Sequence, residues 1–286
     1  MAKAFHLPSW RKVQIDRKYH RKAAVVSAVL SEMDRFFEYT TEQVVLQAFA
    51  TLRFKEPDLS ATDVIAERFY KRAITEGWKS AHEEALTEKT GGKQRLAGPP
   101  KAGIKPLKFL VDFFSDRKAW AKVLSRKGFL VERLKRAYLQ KLKHRFDEVI
   151  PQILSGETSP EAVKNHLSTA WEASRARTEN IFRTETTKYF TETQISYFSA
   201  SDVEIIGYLF DSVRDTGRSS WCKDRHGLIY RPGTDLLRQN SPPCHWQCRS
   251  HLIALANTEY NRKLLADPAR DPSRRSVEPL PPAWRR

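Results

Sequence analysis

The side chains best suited to chemistry lie in one stretch of this 286-residue chain. All three cysteines, Cys222, Cys244 and Cys248, fall there together with His226 and His245. They occupy two segments, Trp221-Cys222-x3-His226-Gly227 and Pro242-Pro243-Cys244-His245-x2-Cys248-Arg249-Ser250. Thiolates and imidazoles that converge from two separated turns are the usual ligands of a tetrahedral zinc ion. Cys222, Cys248 and one or both of His226 and His245 are the candidate ligands, with Cys244 competing. Cys244 and His245 are neighbours in sequence, which makes joint ligation of one ion awkward. The alternative is a small core in which the three thiols pack as buried hydrophobes and His245 hydrogen-bonds a turn. An odd number of cysteines, and an N-terminus without the apolar core of a secretory signal, argue against a disulfide framework.

No second constellation suggests catalysis. The glycines of Gly91–Gly103 lack the Gly-Lys-Ser/Thr ending of a phosphate-binding loop. Arg183 and Glu185 are two apart on a helix and do not share a face. Arg183 is expected to pair with Asp211 or Asp215, fastening helix to strand. Arg249 is expected to tie its turn to one of the same carboxylates.

The elements that must position these residues are of two kinds. Apolar residues at spacings of three and four predict helices from about Arg21 to Phe54, from Ser60 or Thr62 through Ile74, and from Phe109 to Leu154. Pro151 is expected to kink the last turn of the third, and Ser155-Gly156 to end it. Ser159-Pro160-Glu161 opens another helix, with Ser159 as cap, through Trp171 and on towards Phe198. Then the pattern changes. Val203–Phe210, Leu228–Tyr230 and His251–Leu255 read as short strands, with turns at Arg231-Pro-Gly-Thr and Asn240-Ser-Pro-Pro. The expected fold is α+β. A mainly helical N-terminal region spans 1–155, with a basic Gly/Pro linker at about 91–106. A small α+β domain spans 156–260. A Pro/Arg-rich tail, 261–286, is expected to be disordered.

Fifty Lys and Arg against 34 Asp and Glu leave a formal net charge of +16. Such an excess speaks of partners, and polyanions are the obvious ones. The candidate nucleic-acid contacts are Lys93, Arg95 and Lys101 of the linker and Arg133, Arg136, Lys141 and Arg145 of the basic helix. No apolar run approaches the roughly 20 residues needed to cross a bilayer.

Taken in order, Ala176-Arg-Thr-Glu-Asn-Ile-Phe-Arg183-Thr184-Glu185, Asp211-x2-Arg214-Asp215, the Cys222 segment and the Pro242–Ser250 segment resemble the Mu F-like head morphogenesis family of tailed phages. The resemblance runs over about Ala176 to Leu255. It marks Arg183, Glu185, Asp211, Asp215, Gly227, Pro243 and Arg249 as structural motif residues. The chain departs from the family pattern at Ser219 and Ser250, where the pattern has cysteines, and Cys244 is an extra thiol. The resemblance implies a minor head protein, not an enzyme, lying inside the capsid near the portal after assembly in the host cytoplasm. It implies a role in capsid assembly and in genome packaging or ejection. The implied partners are the portal protein, other head proteins and, non-specifically, packaged double-stranded DNA; no membrane and no small-molecule substrate are implied. The expected cofactor is none, or a structural zinc ion. The alternative is a metal-dependent HNH-like nuclease, which needs a His to activate water and a further ligand set for the metal. The chain has no Asp-His or His-His pair on a strand ahead of an Asn–His helix, so only its Cys/His spacing resembles that fold.

Overall fold

The computed structural model describes residues 9–89, 117–213 and 218–275. The linker candidates Lys93, Arg95 and Lys101, together with Arg214, Asp215 and the chain beyond Arg275, lie outside the described residues.

Among the described residues four long helices come first: α1 (Ser9–Thr51), α2 (Ala61–Lys89), α3 (Arg117–Leu154) and α4 (Pro160–Ala200). Helix α1 begins a full three turns before the Arg21 start expected from apolar spacing. Its buried positions there are Arg11, Gln14, Lys18 and Lys22, followed by Val25 and Val29. The spacing of three and four is that of one helix face, but polar residues occupy it, so apolar periodicity cannot reveal it. Pro151 lies inside α3 and does not end it. The end comes at Gly156 (φ +71°), where the Glu157 N–H reaches Gln152 O at 3.0 Å, a left-handed cap that glycine adopts without steric cost. Ser159 Oγ then accepts the Ala162 N–H at 3.2 Å and starts α4, with Pro160 first.

The chain forms two compact units, each assembled from separate stretches of sequence. Among the described residues one unit takes 25–72 and 117–182. The other takes 9–24, 73–89 and the described residues from 183 onward. The expected sequential boundaries at 155/156 and 260/261 do not coincide with these units. Helices α1, α2 and α4 each contribute to both, because the apolar face of a long helix need not stop where a sequence segment changes composition.

The first unit is all-helical. Its core is aromatic: Phe37 stacks on Trp171 with centroids 4.2 Å apart and touches Tyr138 at 4.3 Å, while Phe69 meets Phe182 edge-on at 4.6 Å. Asp34 accepts the Trp171 indole N–H at 2.8 Å and the Arg175 Nε–H at 2.9 Å, so the indole keeps its polar edge satisfied.

The second unit carries the strands β1 (Ile205–Asp211), β2 (Ile229–Tyr230) and β3 (His251–Ala256), antiparallel in the order β2-β1-β3. Side chains alternate across this sheet. Tyr208, Phe210, Leu252 and Ala254 face a core shared with Cys222, Cys244 and Cys248, and Leu209, Ile229, Ile253 and Leu255 face the other side. Gly207 has no room for a side chain, since a Cβ there would lie 2.6 Å from Ile229 Cγ2. The fold then continues past the boundary expected at 260. Helix α7 (Glu259–Leu265), capped by Thr258, and 3-10 turns at Pro268–Arg270 and Pro272–Arg274 follow β3. Each of the two turns has an Asp cap ahead of a Pro, Asp267-Pro268 and Asp271-Pro272, so the prolines that suggested disorder serve here as first residues of short helices.

A cysteine and histidine cluster as candidate metal centre

Short helices and capped turns deliver the candidate ligands. Helix α5 (Ser220–Arg225) starts at Ser219, whose hydroxyl accepts the Cys222 N–H at 3.3 Å. That bond fixes Cys222 on the first turn and gives Ser219 a capping role in place of a ligand's. Helix α6 (Asp235–Asn240), capped by Thr234, leads into the loop 241–250, whose Pro242–Pro243 peptide is cis. Two threonines of α4 hold this loop by its backbone. Thr184 Oγ1 accepts the Gln247 N–H at 3.0 Å, where Gln247 takes a left-handed φ of +58°. The Thr187 hydroxyl donates to Cys248 O at 2.8 Å.

Cys222, His245 and Cys248 come together. Their ligand atoms all lie within 4.8 Å of one another. Cys222 Sγ is 3.1 Å from His245 Nε2 and 3.7 Å from Cys248 Sγ. Cys244 is fully buried in the same core, and its Sγ donates to Asn240 O at 3.9 Å. His245 is half-buried, and its Nδ1 is 2.6 Å from Trp246 O. A carbonyl oxygen only accepts, so Nδ1 carries the hydrogen and Nε2 faces the sulfurs. Burial disfavours the imidazolium, but hydrogen bonds and charge from Cys222 and Cys248 outweigh it and push the His245 pKa up to about 10. Burial likewise opposes a Cys248 thiolate, yet the two other thiols and His245 hold its pKa well below the usual thiol range. Cys244 moves the other way, raised by its thiol neighbours and by burial.

His226 is not part of this cluster, which corrects one candidate. It caps the C-terminus of α5, and its Nδ1 accepts the Ser212 N–H at 3.1 Å beside β1. The following Gly227 reverses the chain with φ +83° and donates its N–H to Phe210 O at 2.9 Å. The Asp211 carboxylate lies between two imidazoles, 3.6 Å from His226 Nδ1 and 3.2 Å from Nε2 of His251, its partner across the strand pair. Glu185 and Pro243 are buried; Arg183 and Arg249 are half-buried.

A family model described as Phage Mu protein F like protein matches residues 144–253. This segment is similar to the phage Mu F-like family. This is a structural, head-morphogenesis family. The match takes in every described motif residue from Arg183 to Arg249 as well as the Cys/His cluster. No curated protein and no solved structure matches the chain.

The Mu F-like segment begins within α3, the helix that carries the expected nucleic-acid contacts. Arg133 and Arg136 are exposed. Lys141 is engaged, donating to Ala173 O at 2.7 Å, and Arg145 pairs with Glu148 at 2.9 Å. Arg136, Lys135 and Lys143 line a cleft of about 590 Å³, but Asp58, Asp63 and Glu132 line it too, so its charge is mixed.

Sequence reasoning missed a buried ionic network that supports the Mu F-like strands. Glu84 accepts from Lys18 Nζ at 2.7 Å and from the Ala254 N–H of β3 at 2.9 Å. Arg11 grips Glu88 with two nitrogens, and both join Asn261 of α7. Lys22 is buried with Nζ 3.2 Å from Ser250 O. Burial, reinforced by Lys18 and opposed by Cys248, lowers its pKa to about 7. The one available signal was the spacing of Arg11, Lys18 and Lys22 on the face that continues into Val25 and Val29.

Proposed function

We propose that this chain is a structural component of the phage head that lies beside the portal and the packaged DNA. The match of residues 144–253 to the Mu F-like family carries the reading, because it covers a folded motif and not a scattered set of residues. The net charge of +16 supports the DNA side of it. Confined DNA is a dense polyanion, and each neutralised phosphate releases counterions. The residues of the motif support structure over chemistry. Thr184 and Thr187 spend their hydroxyls on the backbone of the cysteine loop, and Ser219 spends its own on a helix cap.

The chain contributes to capsid assembly and to genome packaging or ejection, binding the portal and other head proteins. The test is an amber mutant in its gene, with particles analysed for protein and DNA content. We expect wild-type heads to contain the chain in a form protected from protease until they are opened. The mutant should yield heads that lack DNA or do not infect. Fully infectious, DNA-filled particles without the chain would overturn the proposal.

A further inference from the structure

We propose that Cys222, Cys244, His245 and Cys248 together bind one zinc ion in a closed site of three sulfurs and one nitrogen. Zn–S bonds of about 2.3 Å and Zn–N bonds of about 2.0–2.1 Å in a tetrahedron place neighbouring ligand atoms roughly 3.5–3.8 Å apart. The 3.7 Å separation of the Cys222 and Cys248 sulfurs is that spacing. The 3.1 Å between Cys222 Sγ and His245 Nε2 is a few tenths of an ångström shorter, within the reach of a small ring rotation.

The hydrogen bond from His245 Nδ1 to Trp246 O is a second, independent observation. Metal-bound histidines almost always donate their other ring N–H to a carbonyl, a carboxylate or water, which fixes the tautomer and aims the free lone pair. Here the bond is 2.6 Å long, and the other ring nitrogen, Nε2, faces the sulfurs.

The fourth position follows from what surrounds the other three. Cys244 is fully buried in the same core cluster as both remaining thiols. Its sulfur lies outside the group of three ligand atoms that are within 4.8 Å of one another, and it completes the tetrahedron by turning away from Asn240 O, 3.9 Å from it in this structure. Ser219 is occupied by its cap. With a buried thiol in the fourth position there is no place for water, and the ion serves as a clamp between α5 and the loop 241–250. The chain has no disulfide there; all three cysteines are free.

The experiment uses the full chain, purified without chelator. Metal content is measured directly, the zinc is then replaced by cobalt(II), and melting is followed with and without chelator. We expect one zinc per chain and a Tm that drops in chelator, since metal affinity is part of the folding free energy of such a site. The cobalt form should show the strong visible bands of tetrahedral cobalt and thiolate charge transfer in the near ultraviolet. His245→Gln, at the half-buried edge of the cluster, should fold and lose affinity by more than the roughly 10–100-fold that loss of an outer-shell partner costs. Cys244→Ser should weaken the charge-transfer band. Metal-free protein with a Tm indifferent to chelator would overturn the site. An unchanged cobalt spectrum in Cys244→Ser would overturn the assignment of the fourth ligand.

Discussion

Thr187 of α4 donates its hydroxyl hydrogen to the carbonyl of Cys248 at 2.8 Å, one turn away from Thr184, which accepts the N–H of Gln247 at 3.0 Å. Two side chains on one face of a helix thus fix two peptide groups of the cysteine loop, with one peptide between them. The first expected outcome concerns this pair. Thr184→Val keeps the shape but leaves the Gln247 N–H without its acceptor. The variant should lose about 0.5–1.5 kcal/mol of stability in urea unfolding, the net contribution of a part-buried hydrogen bond. A change indistinguishable from zero would show that water replaces the hydroxyl.

Glu88 should be costly to remove. Its carboxylate and the Arg11 guanidinium are each about 1% exposed. Burial raises the Glu88 pKa, Glu84 adds to the rise, and Arg11 and Asn261 oppose it. Glu88→Ala leaves a buried cation without its carboxylate, and the expected loss is about 3–5 kcal/mol. The double variant Arg11→Met/Glu88→Ala should recover a large part of it. A single variant as stable as wild type would mean that Arg11 escapes to solvent.

His82 should make the protein acid-sensitive. Its ring stacks on Trp78, and its Nδ1 lies 2.9 Å from Tyr197 Oη. Burial lowers its pKa, with Glu83 opposing. A folded pKa below the unfolded value of about 6.5 means that the neutral ring's contribution is present above that value and is lost as pH falls through the folded pKa. Between about pH 7 and about pH 5 wild type should therefore lose more stability than His82→Gln. Parallel unfolding midpoints for the two proteins across that window would refute the assignment.

DNA binding should be electrostatic and unaccompanied by cleavage. The affinity for duplex DNA should fall steeply with salt and ignore sequence. Exchanging the exposed Arg133 and Arg136 for glutamate should weaken it. Plasmid incubated with the chain and magnesium or manganese should stay supercoiled. Nicking would revive the nuclease reading, and a salt-independent constant would remove the electrostatic one.

The strands were readable because their chemistry is local. Val203–Phe210 and His251–Leu255 are apolar runs bounded by turn residues, and β1 and β3 fall there. The convergence of Cys222, His245 and Cys248 was open to residue-type reasoning, since two short segments supply all the ligands. The role of Thr184 and Thr187 was not, because their partners lie about 60 residues away and a threonine on a helix carries no mark of its distant acceptor or donor. Arg11, Lys18 and Lys22 were hidden for a related reason. A charged residue reads as solvated until its buried partner is known. His226 failed as a ligand because α5 ends beneath it and turns its ring towards β1.

The unit that carries the sheet draws its first residues from 9–24 and its last from beyond 250. This has a consequence in time. A ribosome releases Arg11, Lys18 and Lys22 well before Asn261, Leu252 O and Ser250 O, which receive them and arrive more than 220 residues later. Glu88 and Glu84 follow Arg11 and Lys18 by only 77 and 66 residues, but the groups of the sheet and α7 that close over these cations are still missing, and their stretch of α1 cannot complete its packing. Closure across so long a loop is slow compared with helix formation. The first turns of α1 therefore wait while the intervening residues are made, and the sheet and those turns lock together only once β3 and α7 have emerged.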